Sequence, residues 1–371
     1  MKIRILFIIL LFNSCTTLKF VLSEKIMLKQ NCASTGNYLQ PVLEAELEGR
    51  RQFFIFDSGS MITVLTDSTA VENFSKKKTA SFGNYVSASG NKKKNRMFTT
   101  NVSTTLFESK NKVMLYSSLP RTRCTKKATI AGIIGLDAFF ENDFSLFLNF
   151  SANEICNLDK SEFEMYKLKG FREIKSECKK NQIFVYLEIE GQLLKFKLDT
   201  GFTGTAVIPY DEKLQFANSN NMVLEGLFYG TISDMSIGTE TLYEKMPVVF
   251  AGEKFEAKLN VSTSIKSQNL GIQFIKGFDW LIDYNNNKVY IKRSNKPIEN
   301  KFNRTVTYYS SVSPSGLRIS TKEKSQTKYK LGDQITSVNG EKVTSENICD
   351  LQDFLNKTED WNTLNLEVTA K

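Results

Sequence analysis

Glu46-Leu47-Glu48-Gly49, followed eight residues later by Asp57-Ser58-Gly59, returns in the same chain as Glu188-Ile189-Glu190-Gly191 followed eight residues later by Asp199-Thr200-Gly201. In both copies the first glycine separates two apolar or alternating runs. The second run, Phe53 to Phe56 or Leu194 to Leu198, leads straight into the aspartate. The pattern predicts a strand, a turn and a second strand that ends at the aspartate. Working outward, Ile133-Ile134-Gly135-Leu136-Asp137-Ala138-Phe139-Phe140 in the first copy answers Asn269-Leu270-Gly271-Ile272-Gln273-Phe274-Ile275 in the second. The aspartate-to-glycine spacing is 78 residues in one copy and 72 in the other. Each copy closes on a further strand pattern, Phe144 to Phe150 and Trp280 to Tyr284. The second of these turns at Asn285-Asn286-Asn287 into Val289-Tyr290-Ile291, a predicted hairpin. A duplicated unit of this kind organises the chain into two halves, 36–158 and 182–294, with a Lys/Glu-rich connector over 159–181.

The remaining segments read differently. Over 305–371, alternating apolar positions in Tyr329-Lys330-Leu331-Gly332-Asp333-Gln334-Ile335-Thr336-Ser337-Val338 lead into an Asn339-Gly340 turn. Ile348, Leu351, Phe354 and Leu355 then fall at helical spacing, with Ser345 placed to cap that helix, and Leu364, Leu366 and Val368 alternate as a strand. This is a small α+β module. At the other end, Lys2 and Arg4 precede an unbroken apolar run from Ile5 to Phe12. The run is far shorter than the ~20 residues that span a bilayer, so 1–22 reads as an export signal. Cys15 follows the run and resembles the acylated cysteine of a loose bacterial lipoprotein box; cleavage beyond Cys15 is the alternative. The expectation is an exported protein of the periplasm or cell envelope, attached to the membrane if Cys15 carries lipid. Of the other cysteines, Cys32, Cys124, Cys156 and Cys178 could pair in an oxidising compartment in a pattern the sequence leaves open, and Cys349 reads as an unpaired structural thiol.

Composition narrows the chemistry. The 371 residues contain no histidine. Ser-His-Asp and Cys-His nucleophilic sites need an imidazole base, and His-ligated zinc sites need an imidazole ligand, so both classes are excluded. Carboxylates must carry any proton transfer, and no metal or cofactor is expected. The formal net charge is +9, and Lys76-Lys77-Lys78 and Lys92-Lys93-Lys94 contribute to it. Neither run is interleaved with aromatic residues, so they read as solvated loops and nucleic acid is not an expected partner.

Two aspartates, each closing a buried-looking strand, suit hydrolysis without metal or imidazole. One carboxylate activates water, one carboxylic acid protonates the carbonyl, and two carboxyls held together share a single proton. Asp57 and Asp199 are the candidate catalytic pair. Gly59 and Gly201 are expected to allow tight turns, and Ser58 and Thr200 to hydrogen-bond across the interface between halves. Ser60 is placed to donate to the pair, whereas Phe202 at the matching position cannot.

With these motifs in view, both halves resemble the bacterial retropepsin-like, or gag-polyprotein-type, aspartyl protease family. The resemblance rests on the two D-[ST]-G loops and on Ile134-Gly135 and Leu270-Gly271, glycine motifs that in the family pack beneath those loops. It covers about 36–294 and implies a mainly β, bilobal fold of closed barrels with a cleft between lobes. It also implies covering hairpins, here Phe82 to Arg96 and Gly230 to Gly238. The last module resembles a bacterial PDZ domain through Leu331-Gly332-Asp333-Gln334-Ile335 and Val338-Asn339-Gly340. That implies a C-terminal peptide ligand added along Ser315-Gly316-Leu317-Arg318-Ile319, although Lys322 to Lys330 replaces the usual small-residue helix. The leading expectation is an endopeptidase acting on extended segments of a peptide or protein substrate. The alternative is a silent scaffold that binds peptides or a protein partner; a sugar-cleaving carboxylate pair has no need of two D-[ST]-G loops.

Overall fold

Each sequence repeat closes into a six-stranded β-barrel, and the protein is mainly β. The computed structural model describes residues 24–370 apart from 78, 87–91, 118–123, 125–129, 140–144, 215, 218–220, 229–235 and 302–306. The first barrel runs Phe107–Tyr116, Val64–Leu65, Ile130–Gly135, Arg50–Asp57, Val42–Leu47 and Lys92–Thr104, which pairs back with Phe107–Tyr116. The second runs Gln182–Ile189, Gln192–Asp199, Asn269–Gly271, Ala206–Pro209, Glu253–Ser262 and Ser236–Phe250, which returns to Gln182–Ile189. Strand alternation sends every second side chain inward. Phe54 and Phe56 fill one barrel, Phe196 and Leu198 the other, all without exposed surface. Ile55 and Asp57, and likewise Lys197 and Asp199, lie on the opposite faces of their strands.

The two halves share a third sheet. Its strand order is Arg172–Ile174, Lys288–Arg293, Phe278–Asp283, Ser145–Asn149, Glu154–Leu158 and Asn31–Ser34. The strands that close the two repeats meet at its centre, with Leu146 opposite Ile282, Phe147 opposite Leu281 and Leu148 opposite Trp280. Asp279 of the second half accepts hydrogen bonds from the backbone and hydroxyl of Ser151 in the first, at 2.8 and 2.6 Å. A Cys32–Cys156 disulfide crosses the outermost strand pair.

This sheet revises two boundaries. The first half begins before residue 36, because Lys25–Leu28 pairs with Phe107–Tyr116 and Asn31–Ser34 joins the shared sheet. Nor is 159–181 a mere connector. Asp159 caps the helix Lys160–Lys167 in a reciprocal capping box with Glu162, and two strands follow it into the sheets. Such short strands carry too little alternation to stand out among lysines and glutamates.

The C-terminal module has its own core of Tyr308, Leu317, Ile319, Leu355 and Trp361. Its helix spans Ile348–Lys357 and starts after Asn347, not at the expected Ser345. The Ser345 hydroxyl instead meets Glu346, while Asn347 accepts the backbone N–H of Thr344. Cys349 is not a free thiol: it forms a disulfide with Cys124 of the first half. The module also continues the sheet of the second barrel. Gly316–Glu323 pairs with Asn221–Phe228, placing Leu224 opposite Glu323, Glu225 opposite Lys322 and Gly226 opposite Thr321. Gly226 makes that approach possible. Its φ is 137°, and a Cβ there would lie 2.2 Å from the Ser320 carbonyl oxygen.

Candidate active site

The two aspartates close equivalent strands, and each strand runs parallel to the one carrying the glycine motif. Asp57 sits opposite Gly135 and Asp199 opposite Gly271. The glycines have no Cβ because the D-[ST]-G loop lies directly upon them. A Cβ on Gly135 would come within 2.8 Å of the Ser60 and Ile62 backbones, and one on Gly271 within 2.2 Å of the Gly204 carbonyl. Leu136 N–H donates to Ser60 O at 3.0 Å and Ile272 N–H to Phe202 O at 2.9 Å, fastening both loops from below. Ile134 and Leu270 bury their side chains in the barrel cores.

Four hydrogen bonds lock the two loops across the lobe boundary. Ser58 N–H donates to Thr200 Oγ1 at 2.9 Å, and Thr200 N–H to Ser58 Oγ at 3.0 Å. The Ser58 hydroxyl donates to Leu198 O at 2.9 Å, and the Thr200 hydroxyl to Phe56 O at 2.8 Å. Both side chains are fully buried, so every polar atom in the lock depends on its opposite number. The sequence reading of these two hydroxyls holds in detail.

The loop glycines serve a purpose other than the one expected of them. Neither Gly59 nor Gly201 has a left-handed φ, so turn geometry alone does not demand glycine. Each lies against the carboxyl group of the opposite lobe instead. A Cβ on Gly59 would be 2.3 Å from Asp199 Cγ, and one on Gly201 would be 2.4 Å from Asp57 Cγ. Glycine at these positions is what lets the carboxyls converge. Ser60 also departs from expectation: its hydroxyl donates to Ile62 O at 2.7 Å and stabilises its own loop rather than the pair. A serine one residue past the glycine reaches forward along its own turn more readily than back to the aspartate.

The carboxyls hydrogen-bond to each other. Asp57 Oδ1 also accepts Gly59 N–H at 2.8 Å, and Asp199 Oδ1 accepts Phe202 N–H at 3.0 Å. Burial, with the neighbouring Asp199 charge adding to it, pushes the Asp57 carboxyl up to about 7, against the opposing pull of Lys197 and the Gly59 N–H. A pair so placed holds one proton between two groups near neutral pH.

Three features beside the loops escaped the sequence reading. Lys197 lies on the same strand face as Asp199, its Nζ 3.5 Å from Asp199 Oδ2 and 3.1 Å from Gly59 O. Gln40 donates to Gly201 O from the first half. Beneath the first loop, Thr63 Oγ1 donates to Asp137 Oδ1 at 2.9 Å, and buried Lys112 bridges Asp137 and Glu24 at 2.7 and 2.6 Å. The matching place under the second loop is neutral, with Thr205 donating to Gln273 at 3.3 Å. Alignment of the two repeats sets Ile55 against Lys197, a difference that does not by itself say that the lysine meets the other lobe.

Hairpins occupy both regions expected to cover the cleft. Thr79–Val86 pairs with Lys92–Thr104, and Asn221–Phe228 with Ser236–Phe250. Their tips, 87–91 and 229–235, lie outside the described residues, as do the segment 1–22 with Cys15, and Phe140. No helix among the described residues is long and apolar enough to cross a membrane. The strand expected to receive a peptide in the C-terminal module has both edges taken, by Tyr308–Ser313 on one side and by Gln334 and Asn221–Phe228 on the other. The free edge of Tyr308–Ser313 is itself occupied. Ser310 N–H donates to Asn356 Oδ1 at 2.7 Å and Asn356 Nδ2 donates to Ser310 O at 3.0 Å. No protein-family model and no curated protein matches the chain.

Proposed function

We propose that the chain is a retropepsin-like aspartic endopeptidase that hydrolyses peptide bonds in extended polypeptide segments. The observation that carries this reading is the reciprocal packing of each loop glycine against the other lobe's carboxyl, which brings two acids into hydrogen-bonding contact. A lone buried acid is neutralised by a cation or by several donors, and Lys197 beside Asp199 supplies that for one carboxyl, not for two. Two acids aimed at one another from duplicated loops make instead an acid and a base with a shared proton. One carboxylate takes a proton from water as the water oxygen bonds to the peptide carbonyl carbon. The other carboxyl gives its proton to the carbonyl oxygen. Collapse of the tetrahedral diol then breaks the C–N bond: the proton taken from water passes to the leaving nitrogen, and a diol hydroxyl returns a proton to the dyad. Neither lobe suffices alone.

In this reading the two hairpins cover an extended substrate and exclude water. The C-terminal module is a PDZ-like appendage whose expected peptide strand already has neighbouring strands on both edges, so its role is structural. Residues 1–22 direct export to the periplasm or cell envelope, with a lipid on Cys15 holding the protein at the membrane. The test uses protein lacking residues 1–22, an unstructured polypeptide mixture, and pH 3 to 8, with Asp57→Asn and Asp199→Asn run beside the parent. Cleavage by the parent and by neither variant is the expected outcome. Peptide binding without turnover in the parent would establish a scaffold instead.

A further inference from the structure

One difference between the lobes places a charge beside the dyad: it lies two residues before each aspartate. The first lobe has Ile55 there and the second has Lys197. Residues i and i+2 of a strand share a face, so the lysine leaves the second barrel on the side of its own aspartate and points toward the first lobe. Its side chain is 14% exposed and that of Asp199 11%. The ammonium reaches Asp199 Oδ2 at 3.5 Å and donates to Gly59 O at 3.1 Å, so it is held by both lobes at once.

We infer that Lys197 is a positioning residue for the dyad: its charge keeps the pair's single negative charge on Asp199 and leaves Asp57 as the carboxyl that carries the proton. The inference rests on the hydrolytic reading for its catalytic meaning, but not for its electrostatics. The surrounding groups leave Lys197 as the deciding charge. Asp57 faces it from the first loop, and the Ser58 and Thr200 hydroxyls are committed to backbone carbonyls. Gln40 on one side and Asn269 and Gln273 on the strand and helix beside Asp199 are neutral. The nearest charges below the first loop, Asp137, Lys112 and Glu24, are paired with one another. Gly59 accepts the lysine through its carbonyl while donating its N–H to Asp57. The same peptide segment thus couples the cation to the acid across the dyad.

Assigned this way, Asp199 is the base toward water and Asp57 the acid toward the substrate carbonyl. Burial and then the charge of Asp199 raise Asp57, in keeping with that assignment; Lys197 opposes the rise, so the assignment rests on its 3.5 Å approach to Asp199. A cation within ~4–6 Å lowers a carboxyl's titration by about 1–3 units. Removing it moves the acid limb of the rate profile to higher pH, and moves the basic limb the same way by less.

The experiment compares the parent with Lys197→Met and Lys197→Arg by two readouts. The first is kcat/KM against pH. The second is the titration of ¹³C-labelled aspartate carboxyls by NMR, which needs no turnover. The expected result is an acid limb and a first carboxyl titration raised by about 1–2 units in Lys197→Met, with Lys197→Arg following the parent. A merely structural lysine would change melting temperature or rate without moving either titration. Superimposable carboxyl titrations in parent and Lys197→Met would overturn the assignment. If the parent cleaves nothing at any pH, the hydrolytic reading fails while the carboxyl titration still decides the role of Lys197.

Discussion

Gly59→Ala is the sharpest probe of how the two acids are brought together. The backbone at Gly59 is not left-handed, so alanine meets no conformational obstacle. In open space the change would stabilise the protein by about 0.4–1 kcal/mol through the unfolded chain. The structure predicts the opposite sign. The new methyl would sit 2.3 Å from Asp199 Cγ and 2.5 Å from both of its oxygens, where ordinary contact begins at 3.4 Å. The carboxyl must therefore retreat by about 1 Å, and its bond to Asp57 must stretch or break. Overpacking of this kind costs about 1–3 kcal/mol, and a 1 Å misplacement of a reacting group costs about 10²-fold in rate. Urea unfolding of Gly59→Ala and of the matching Gly201→Ala gives the first figure, and kcat/KM on an unstructured polypeptide the second. A Gly59→Ala protein as stable as the parent and as active would refute the view that glycine is there to admit the opposing carboxyl. Loss of stability in one glycine variant alone would refute the reciprocity.

Thr200→Val removes the hydroxyl that donates to Phe56 O and accepts Ser58 N–H, so urea unfolding should show a loss of about 2–3 kcal/mol, with Thr200→Ser close to the parent. Lys112→Met strands the Asp137 and Glu24 carboxylates in a buried site; the expected loss is about 3–5 kcal/mol at pH 7, and smaller in acid, where Glu24, raised by burial, takes up a proton. Because Asp57 titrates in the folded protein at about 7, above its value in the unfolded chain, the folded state holds the extra proton between the two. The Asp57 contribution is thus complete in acid and is lost as pH rises from about 4 to 7, at up to ~1.4 kcal/mol per pH unit. Urea unfolding across that range should show a steeper fall in the parent than in Asp57→Asn, where the raised Glu24 and Asp279 still contribute.

The parts of this arrangement written as repeated local patterns were legible before any coordinates. The D-[ST]-G loops, Ile134-Gly135, Leu270-Gly271 and the closing strands recur at matched spacing, and duplication made each copy a check on the other. The cross-lobe roles of Ser58 and Thr200 followed from the same symmetry. What was not legible depends on where the chain goes between the motifs. Cys349 finds Cys124 across 225 residues of sequence, which no spacing rule connects. Lys197 looks like any outward-facing lysine in an alternating strand, since nothing in the strand says that its outer face meets the other lobe. Ser60 went astray because a side chain's hydrogen-bond partner is set within its own turn by distances of less than 1 Å. The strands at 25–28, 31–34 and 172–174 are too short to declare themselves, and take their structure from neighbours already in place.

The pairing of Asn221–Phe228 with the C-terminal module bears on solubility as well as on the cleft. Without that partner, a strand ending in Leu224-Glu225-Gly226-Leu227-Phe228 would present bare N–H and C=O groups to any other extended chain, and extended chains are what the cleft is proposed to attract. Gly226, cut away to admit the module's backbone, leaves that border smoother still. The module therefore caps the border of the second barrel, and the Cys124–Cys349 bond keeps the cap tied to the first half. A protein trimmed of its last module gains an adhesive rim, and its fate is self-association through that rim rather than release of a freer enzyme.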